Sequence, residues 1–171
     1  MNYFEKALTE FISQKLSKDK KTTQLAELFA QNADAKIICY NAPVSMLEAL
    51  LDQKPARLLA VSTWESREQK KLAASGKHMI SFEGSLVDIQ DRIFDVAIIR
   101  PESLLTEDLE PLIGQAQRLL CNGGSLIFLG DSQERMYTSL VKHILTESGF
   151  GQVRFLSDGD YSCVTCVKEV L

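Results

Sequence analysis

Four cysteines are the residues of this chain whose spacing comes nearest to a chemical site. Cys163 and Cys166 form a Cys-x-x-Cys pair, a spacing used by metal sites and by dithiol redox centres. The pair lies in an apolar run typical of a β-strand, where residues three apart point to opposite faces. Cys39 and Cys121 are isolated in the sequence. The pattern therefore favours structural thiols and predicts no metal site, with a redox pair as the alternative.

Other catalytic motifs are absent from the sequence. The histidines are His78 and His143, and no Gly-x-Ser-x-Gly turn that could present a nucleophile occurs. No phosphate-binding loop ending in Gly-Lys-Ser/Thr occurs either. Gly123 and Gly124 come before a strand pattern and not before a helix, which indicates a turn. The sequence therefore predicts no catalytic residue.

Length and composition limit the size and the class of the domain that contains these residues. The chain has 171 residues, 45% of them hydrophobic, which suffices for one domain with one core. Its net charge of -4 does not suit a duplex-binding surface. No apolar run approaches the roughly 18 residues of a membrane span, and the segment Met1–Lys6 carries charge too early for a signal peptide. We expect a cytoplasmic protein that binds neither nucleic acid nor membrane.

The hydrophobic period changes once along the chain. Up to residue 35, apolar side chains recur at helical spacing, as in Phe4, Leu8 and Phe11, which predicts N-terminal helices packed on the domain. From residue 36 to 171, short apolar runs alternate with amphipathic stretches of helical length. We therefore expect a single domain, with leading helices over 1–35 and an α/β unit over 36–171.

Seven strands and five helices are predicted in the second part. The strands are Lys36–Tyr40, Arg57–Val61, His78–Phe82, Phe94–Ile99, Ser125–Leu129, Gln152–Leu156 and Tyr161–Val167. The helices are 45–53, 63–75, 86–91, 107–120 and 133–148. Alternation of this kind predicts a Rossmann-like, doubly wound, mostly parallel sheet covered on both faces. The last two strands are joined by a short connection, so we expect an antiparallel hairpin.

This order of elements, together with three local motifs, resembles the class I S-adenosylmethionine-dependent methyltransferase family. The run Phe94–Ile99 is similar to the family's fourth strand, and Leu119–Phe128, with its glycine pair, is similar to the start of the fifth strand. Ser148-Gly149-Phe150 is similar to the Gly-Phe before the sixth strand. The resemblance covers about residues 36 to 168 and implies a seven-stranded sheet. It concerns the scaffold and carries no statement about catalysis.

The loop after the first strand departs from that family. The family has a glycine-rich turn there, because glycine lets the backbone curve past the cofactor. This chain has Asn41–Ser45, which contains no glycine and includes Pro43, a residue without an N–H. Ser45 and Glu48 have capping-box spacing, which places a carboxylate where the cofactor's carboxylate would lie. Two like charges at about 4 Å near a surface repel by on the order of 4 kcal/mol.

The other cofactor positions implied by the resemblance depart as well. The second strand ends at Ser62 and lacks the acid that holds the ribose, although Glu65 lies nearby. After the third strand, Ser85 stands where the family has an acid that reads the adenine. Arg100 follows the fourth strand, where amino-methylating members carry an Asn/Asp-Pro-Pro-aromatic loop.

We interpret the chain as a non-catalytic, methyltransferase-like domain that binds a protein partner and no cofactor. It is similar to the N-terminal domain of the anamorsin family of cytosolic iron–sulfur cluster assembly proteins, in Cys39–Leu50 and in Asp158–Val167. That resemblance implies a cysteine-rich segment beyond Leu171. The alternative is an active S-adenosylmethionine-dependent methyltransferase that holds its cofactor with Asn41, Ser62, Glu65, Ser85 and Arg100. An anion or small-ligand binder at the same crevice is a third interpretation.

Overall fold

The computed structural model describes residues 35–42, 47, 56–62, 80–83, 86–90, 92–101, 106–131, 138–157 and 161–170. From Phe94 to Ser157, strands and helices alternate, as the hydrophobic pattern predicts. The strands are β1 (Lys36–Tyr40), β2 (Arg57–Val61), β3 (Ile80–Glu83), β4 (Phe94–Ile99), β5 (Leu120–Asp131), β6 (Phe150–Ser157) and β7 (Tyr161–Lys168). The helices with described bounds are α1 (Thr106–Leu119) and α2 (Thr138–Glu147).

One sheet joins these strands in the order β3-β2-β1-β4-β5-β7-β6. The pairs from β3 to β5 are parallel, whereas β7 runs antiparallel to both β5 and β6. The predicted antiparallel hairpin is therefore confirmed. The chain moves outward from β1 to β3 and then returns to place β4 on the other side of β1. This reversal creates a crevice between β1 and β4 at the carboxyl ends of the strands.

Both faces of the sheet are buried. On one face, α1 and α2 pack on alternate strand residues in a cluster that includes Leu109, Ile113, Val141 and Leu145 of the helices and Ala97, Leu126, Phe128 and Val164 of the strands. The intervening strand residues are buried too, among them Ile37, Leu58, Val96 and Ile127. Continuous burial along a strand is typical of parallel sheets covered on both sides. The Rossmann-like α/β fold is thus confirmed.

The helix predicted over 86–91 is wrong, because the described residues 86–90 form turns. The backbone N–H of Ile89 bonds to the carbonyl of Leu86 at 3.2 Å, which is turn spacing. The guanidinium of Arg118 donates hydrogen bonds to the carbonyls of Leu86 and Ile89, at 2.8 and 2.7 Å. A side chain from α1 thus satisfies two carbonyls that a longer helix would have used itself.

Several predicted boundaries also need correction. β5 begins at Leu120 and ends at Asp131, so it is longer than the predicted Ser125–Leu129. Gly123 has φ of +79° and lies, with Gly124, inside β5 at a register shift against β4. The glycine pair is therefore an irregularity within the strand and not a turn before it. Smaller shifts affect the third, sixth and seventh strands and the helices predicted over 107–120 and 133–148, while β1, β2 and β4 have their predicted bounds.

The carboxyl end of α1 is closed by groups from distant parts of the chain. Lys168, 3% exposed, donates from Nζ to the carbonyls of Gln117 and Leu120 at 2.7 and 2.8 Å. The backbone N–H groups of Arg92 and Ile93 donate to the two carbonyls between these, those of residues 118 and 119. These contacts satisfy carbonyls that a helix cannot pair internally, and they fasten β7 and β4 to α1.

Some predictions fall outside the described residues. They are the leading helices over 1–35 and the helices over 45–53 and 63–75, apart from Leu47, which is helical and buried. The division at residue 36 stays a prediction. Among the described helices, none combines the length and the apolar character needed to cross a bilayer.

Candidate functional site

The carboxyl ends of β2, β1 and β4 are held side by side by backbone hydrogen bonds. The N–H of Asn41 donates to the carbonyl of Val61 at 2.8 Å, and the N–H of Arg100 donates to the carbonyl of Tyr40 at 2.9 Å. These bonds continue the sheet beyond the last paired residues. The structure therefore brings three predicted site residues, Asn41, Ser62 and Arg100, to one edge of the sheet, at the crevice where folds of this type bind ligands.

Asn41 makes the turn out of β1. Its φ is +52°, in the left-handed region, and its exposure is 4%. Asparagine is one of the few residues besides glycine that adopt this region readily. The left-handed conformation that a glycine would supply is therefore present at the first residue of this turn. Residues 43–46, on which the proline and carboxylate arguments rest, lie outside the described part of the chain.

Ser62 directly follows β2 and is half-buried. Its hydroxyl offers one acceptor oxygen without charge, whereas a carboxylate offers two charged oxygens to a pair of ribose hydroxyls. In the described residues after β1, β2 and β4, which are 41–42, 62 and 100–101, no acid occurs. This donor set does not fit the ribose contact that the family resemblance implies.

Glu83 is a residue of this edge that the sequence analysis did not single out. It is the last residue of β3 and is paired in register with Val61, whereas the predicted third strand ends at Phe82. An acid is therefore present next to the end of β2, one strand away from the position that the family uses for the ribose. Better placement of the strand end would have found it. The other two predicted site residues, Glu65 and Ser85, lie outside the described residues.

Arg100 is exposed at the end of β4. With Asn41, Ser62 and Glu83 it makes the described edge a set of amide, hydroxyl, carboxylate and guanidinium groups. The guanidinium of Arg100 is the exposed hydrogen-bond donor among them.

The cysteines do not contribute chemistry to this edge. Cys39, the fourth residue of β1, is buried, and burial raises the pKa of its thiol well above the ordinary range. β7 pairs with β5 without a register shift between positions 163 and 166, so these positions lie on opposite faces, as predicted. Within the described residues, no group of three or more His, Cys, Asp or Glu is placed to hold a metal.

No protein-family model and no curated protein matches this sequence. Solved structures do match. The Burkholderia thailandensis 1,6-didemethyltoxoflavin-N1-methyltransferase, solved with 1,6-didemethyltoxoflavin and S-adenosylhomocysteine bound, has a TM-score of 0.69 and 15% identity over 96% of this chain and 88% of its own. A SAM-dependent methyltransferase from Aquifex aeolicus has a TM-score of 0.66 and 14% identity over 94% and 98%.

The CurJ carbon methyltransferase has a TM-score of 0.66 and 12% identity over 87% of this chain, which spans only 52% of that protein. Identities this low are evidence about the backbone only. The chain therefore has the fold of the class I S-adenosylmethionine-dependent methyltransferases.

Proposed function

We propose that this domain keeps the methyltransferase fold, does not transfer methyl groups, and serves as a protein-interaction domain. One observation carries the proposal: β2 ends in Val61 and Ser62, without the acid that the family uses to hold the ribose. A site that binds a nucleoside through its two hydroxyls loses charge-assisted hydrogen bonds when that acid is absent. A scaffold that no longer binds the cofactor still presents a rigid surface to a partner.

A narrower proposal follows from the sequence resemblance to the anamorsin family. The domain would then be the N-terminal part of a cytosolic iron–sulfur cluster assembly protein, and the cluster would be held by a cysteine-rich segment after Leu171. The thiol chemistry of the described domain agrees with this division, since Cys39 and Cys166 are buried. Sequencing of the gene past Leu171 tests it directly, and a stop codon at that point contradicts it.

A second candidate function is S-adenosylmethionine-dependent methyl transfer, which the left-handed conformation of Asn41 favours. The first residue after β1 has the left-handed conformation that a glycine would adopt there, although its residue type differs. In this case Asn41, Ser62, Glu65, Ser85 and Arg100 would hold the cofactor, which would supply the methyl group. Glu83 would be an additional acid at the same edge.

Calorimetric titration with S-adenosylmethionine and S-adenosylhomocysteine distinguishes the two functions. We expect no saturable heat at ligand concentrations up to about 100 μM. A dissociation constant of about 100 μM would correspond to about 5.5 kcal/mol of binding free energy. Ser62→Asp restores the missing acid, so it is the matched gain-of-function variant, and Ser62→Asn is its uncharged control.

Binding that appears only in the Ser62→Asp variant would show that the loss of the acid removed the cofactor site. Saturable binding by the natural chain, weakened by Arg100→Ala without loss of thermal stability, would overturn the proposal in favour of an enzyme.

A further inference from the structure

Three exposed cations lie at the edge of the sheet opposite the candidate site. Lys36 is the first residue of β1, Arg57 is the first residue of β2, and Arg92 lies shortly before β4. Because β1 is the neighbour of both β2 and β4, the starts of these strands are adjacent. We call Lys36, Arg57 and Arg92 the basic edge cluster.

Two members of the cluster are held next to each other by strand register. Lys36 and Arg57 are direct partners in the parallel pair β1·β2, and neighbouring strands lie about 4.8 Å apart. Like charges in directly opposite positions repel. Among the residues that the structure describes, no ion-pair partner is found for Lys36, Arg57 or Arg92. An anionic partner would remove this repulsion.

Arg57 is also oriented by an aromatic ring. Its guanidinium carbon lies 5.8 Å from the centroid of the Phe94 ring, and the Phe94 side chain is fully buried. A guanidinium over a ring face is attracted to the ring's π electrons and keeps its N–H groups free in the plane. The contact limits the freedom of the side chain, so less entropy is lost when a carboxylate binds it.

One described carboxylate lies beside the cluster and does not neutralise it. Asp95 accepts a 2.9 Å hydrogen bond from the backbone N–H of Lys36, not from its ammonium group. Among the described residues, three cations lie against one carboxylate at this end of the sheet, although the whole chain has a net charge of -4.

We propose that the basic edge cluster docks a short acidic segment, rich in Asp and Glu, of a partner protein. This rests on the proposed function, because it names the surface by which the domain would bind a protein. A guanidinium pairs with a carboxylate through two parallel hydrogen bonds, which suits Arg57 and Arg92. A nucleic acid is disfavoured because a long polyanion would extend past the cluster over a chain of net negative charge.

The probe is a short fluorescein-labelled peptide of alternating Glu and Gly, followed by fluorescence anisotropy at low ionic strength. The test variant is Lys36→Glu with Arg92→Glu, which leaves the contact between Arg57 and Phe94 intact. The matched control is Lys142→Glu with Arg154→Glu, which makes the same change in net charge at exposed positions of α2 and β6. Arg57→Gln is tested separately.

We expect the peptide to bind the natural chain and to dissociate as salt rises, because exposed ion pairs are screened within about 10 Å at 0.1 M salt. Loss of one exposed ion pair weakens binding by about two- to fivefold, so the test variant is expected to lose about tenfold and the control less than about twofold. Equal losses in both variants, or no peptide binding at all, would overturn the docking proposal. So would an oligonucleotide of equal charge that binds more tightly and displaces the peptide.

The cofactor titration described above separates the two proposals. Cofactor binding together with cluster-dependent peptide binding would overturn the non-catalytic function and keep the docking surface. Absence of both would overturn the docking surface and keep the non-catalytic scaffold.

Discussion

The backbone N–H of Asn41 donates a 2.8 Å hydrogen bond to the carbonyl of Val61, joining the residue after β1 to the last residue of β2. Asn41 makes this bond while its φ is +52°. The hydrogen bond that holds the end of β2 against the end of β1 is therefore made by a residue in the left-handed conformation.

Substitutions at Asn41 are expected to follow left-handed propensity. Asn41→Gly and Asn41→Val both remove the buried amide, so the difference between them reports the backbone. Asn41→Val should be less stable than Asn41→Gly by about 1 to 2 kcal/mol, since glycine adopts this conformation freely, a left-handed L-residue costs this much and β-branching adds to it. Urea denaturation of the two variants measures the difference, and equal stability would contradict the left-handed turn.

Two glycines are expected to respond to alanine in opposite directions. A Cβ at Gly124 would lie 2.9 Å from the carbonyl oxygen of Cys121 and 3.2 Å from that of Asp95, so Gly124→Ala should destabilise by about 1 to 3 kcal/mol. A Cβ at Gly114, inside α1, meets nothing within 4 Å. Gly114→Ala should therefore stabilise by about 0.5 to 1 kcal/mol, because alanine favours the helix. Thermal melts of both variants would show the opposite signs.

Removal of the Lys168 ammonium is expected to destabilise the carboxyl end of α1. Lys168→Met leaves the part-buried carbonyl of Gln117 and the buried carbonyl of Leu120 without this donor, and an unsatisfied buried polar group costs about 1 to 3 kcal/mol. Lys142→Met, at an exposed position of α2, is the control and should change stability by less than about 0.5 kcal/mol. A Lys168→Met variant as stable as the control would show that the cap contributes nothing.

Stability is expected to fall in alkali through Cys39. Burial raises the pKa of this thiol in the folded state, whereas the unfolded chain releases the proton near the ordinary value of about 8.5. The contribution is fully present below the unfolded pKa and is lost as pH rises above it, by at most about 1.4 kcal/mol per pH unit.

Urea denaturation at a series of pH values from neutral into this alkaline range tests the sign. The stability of the natural chain should fall more steeply than that of Cys39→Ala, whatever the offset between them at neutral pH. Parallel curves would contradict the assignment to Cys39.

The candidate site was predictable only in part. The positions of Asn41, Ser62 and Arg100 follow from strand ends, and strand ends follow from where apolar runs stop, as they do at Tyr40 and Val61. The backbone conformation of Asn41 was not predictable, because an asparagine after a strand is compatible with several turns. Glu83 was missed by a single residue at a strand boundary, which hydrophobic periodicity places poorly.

Local sequence alone determined that β1, β2 and β4 are strands and that the fold is α/β, because short apolar runs separated by amphipathic helices have few other stable arrangements. Only the tertiary structure decided that β7 lies between β5 and β6, that Arg118 bonds to the carbonyls of turns where a helix over 86–91 was predicted, and that Lys36, Arg57 and Arg92 lie at the same end of the sheet. Each of these depends on partners far apart in the chain. Such contacts depend on which surfaces pack together in space, and hydrophobic periodicity along the chain does not specify which surfaces those are.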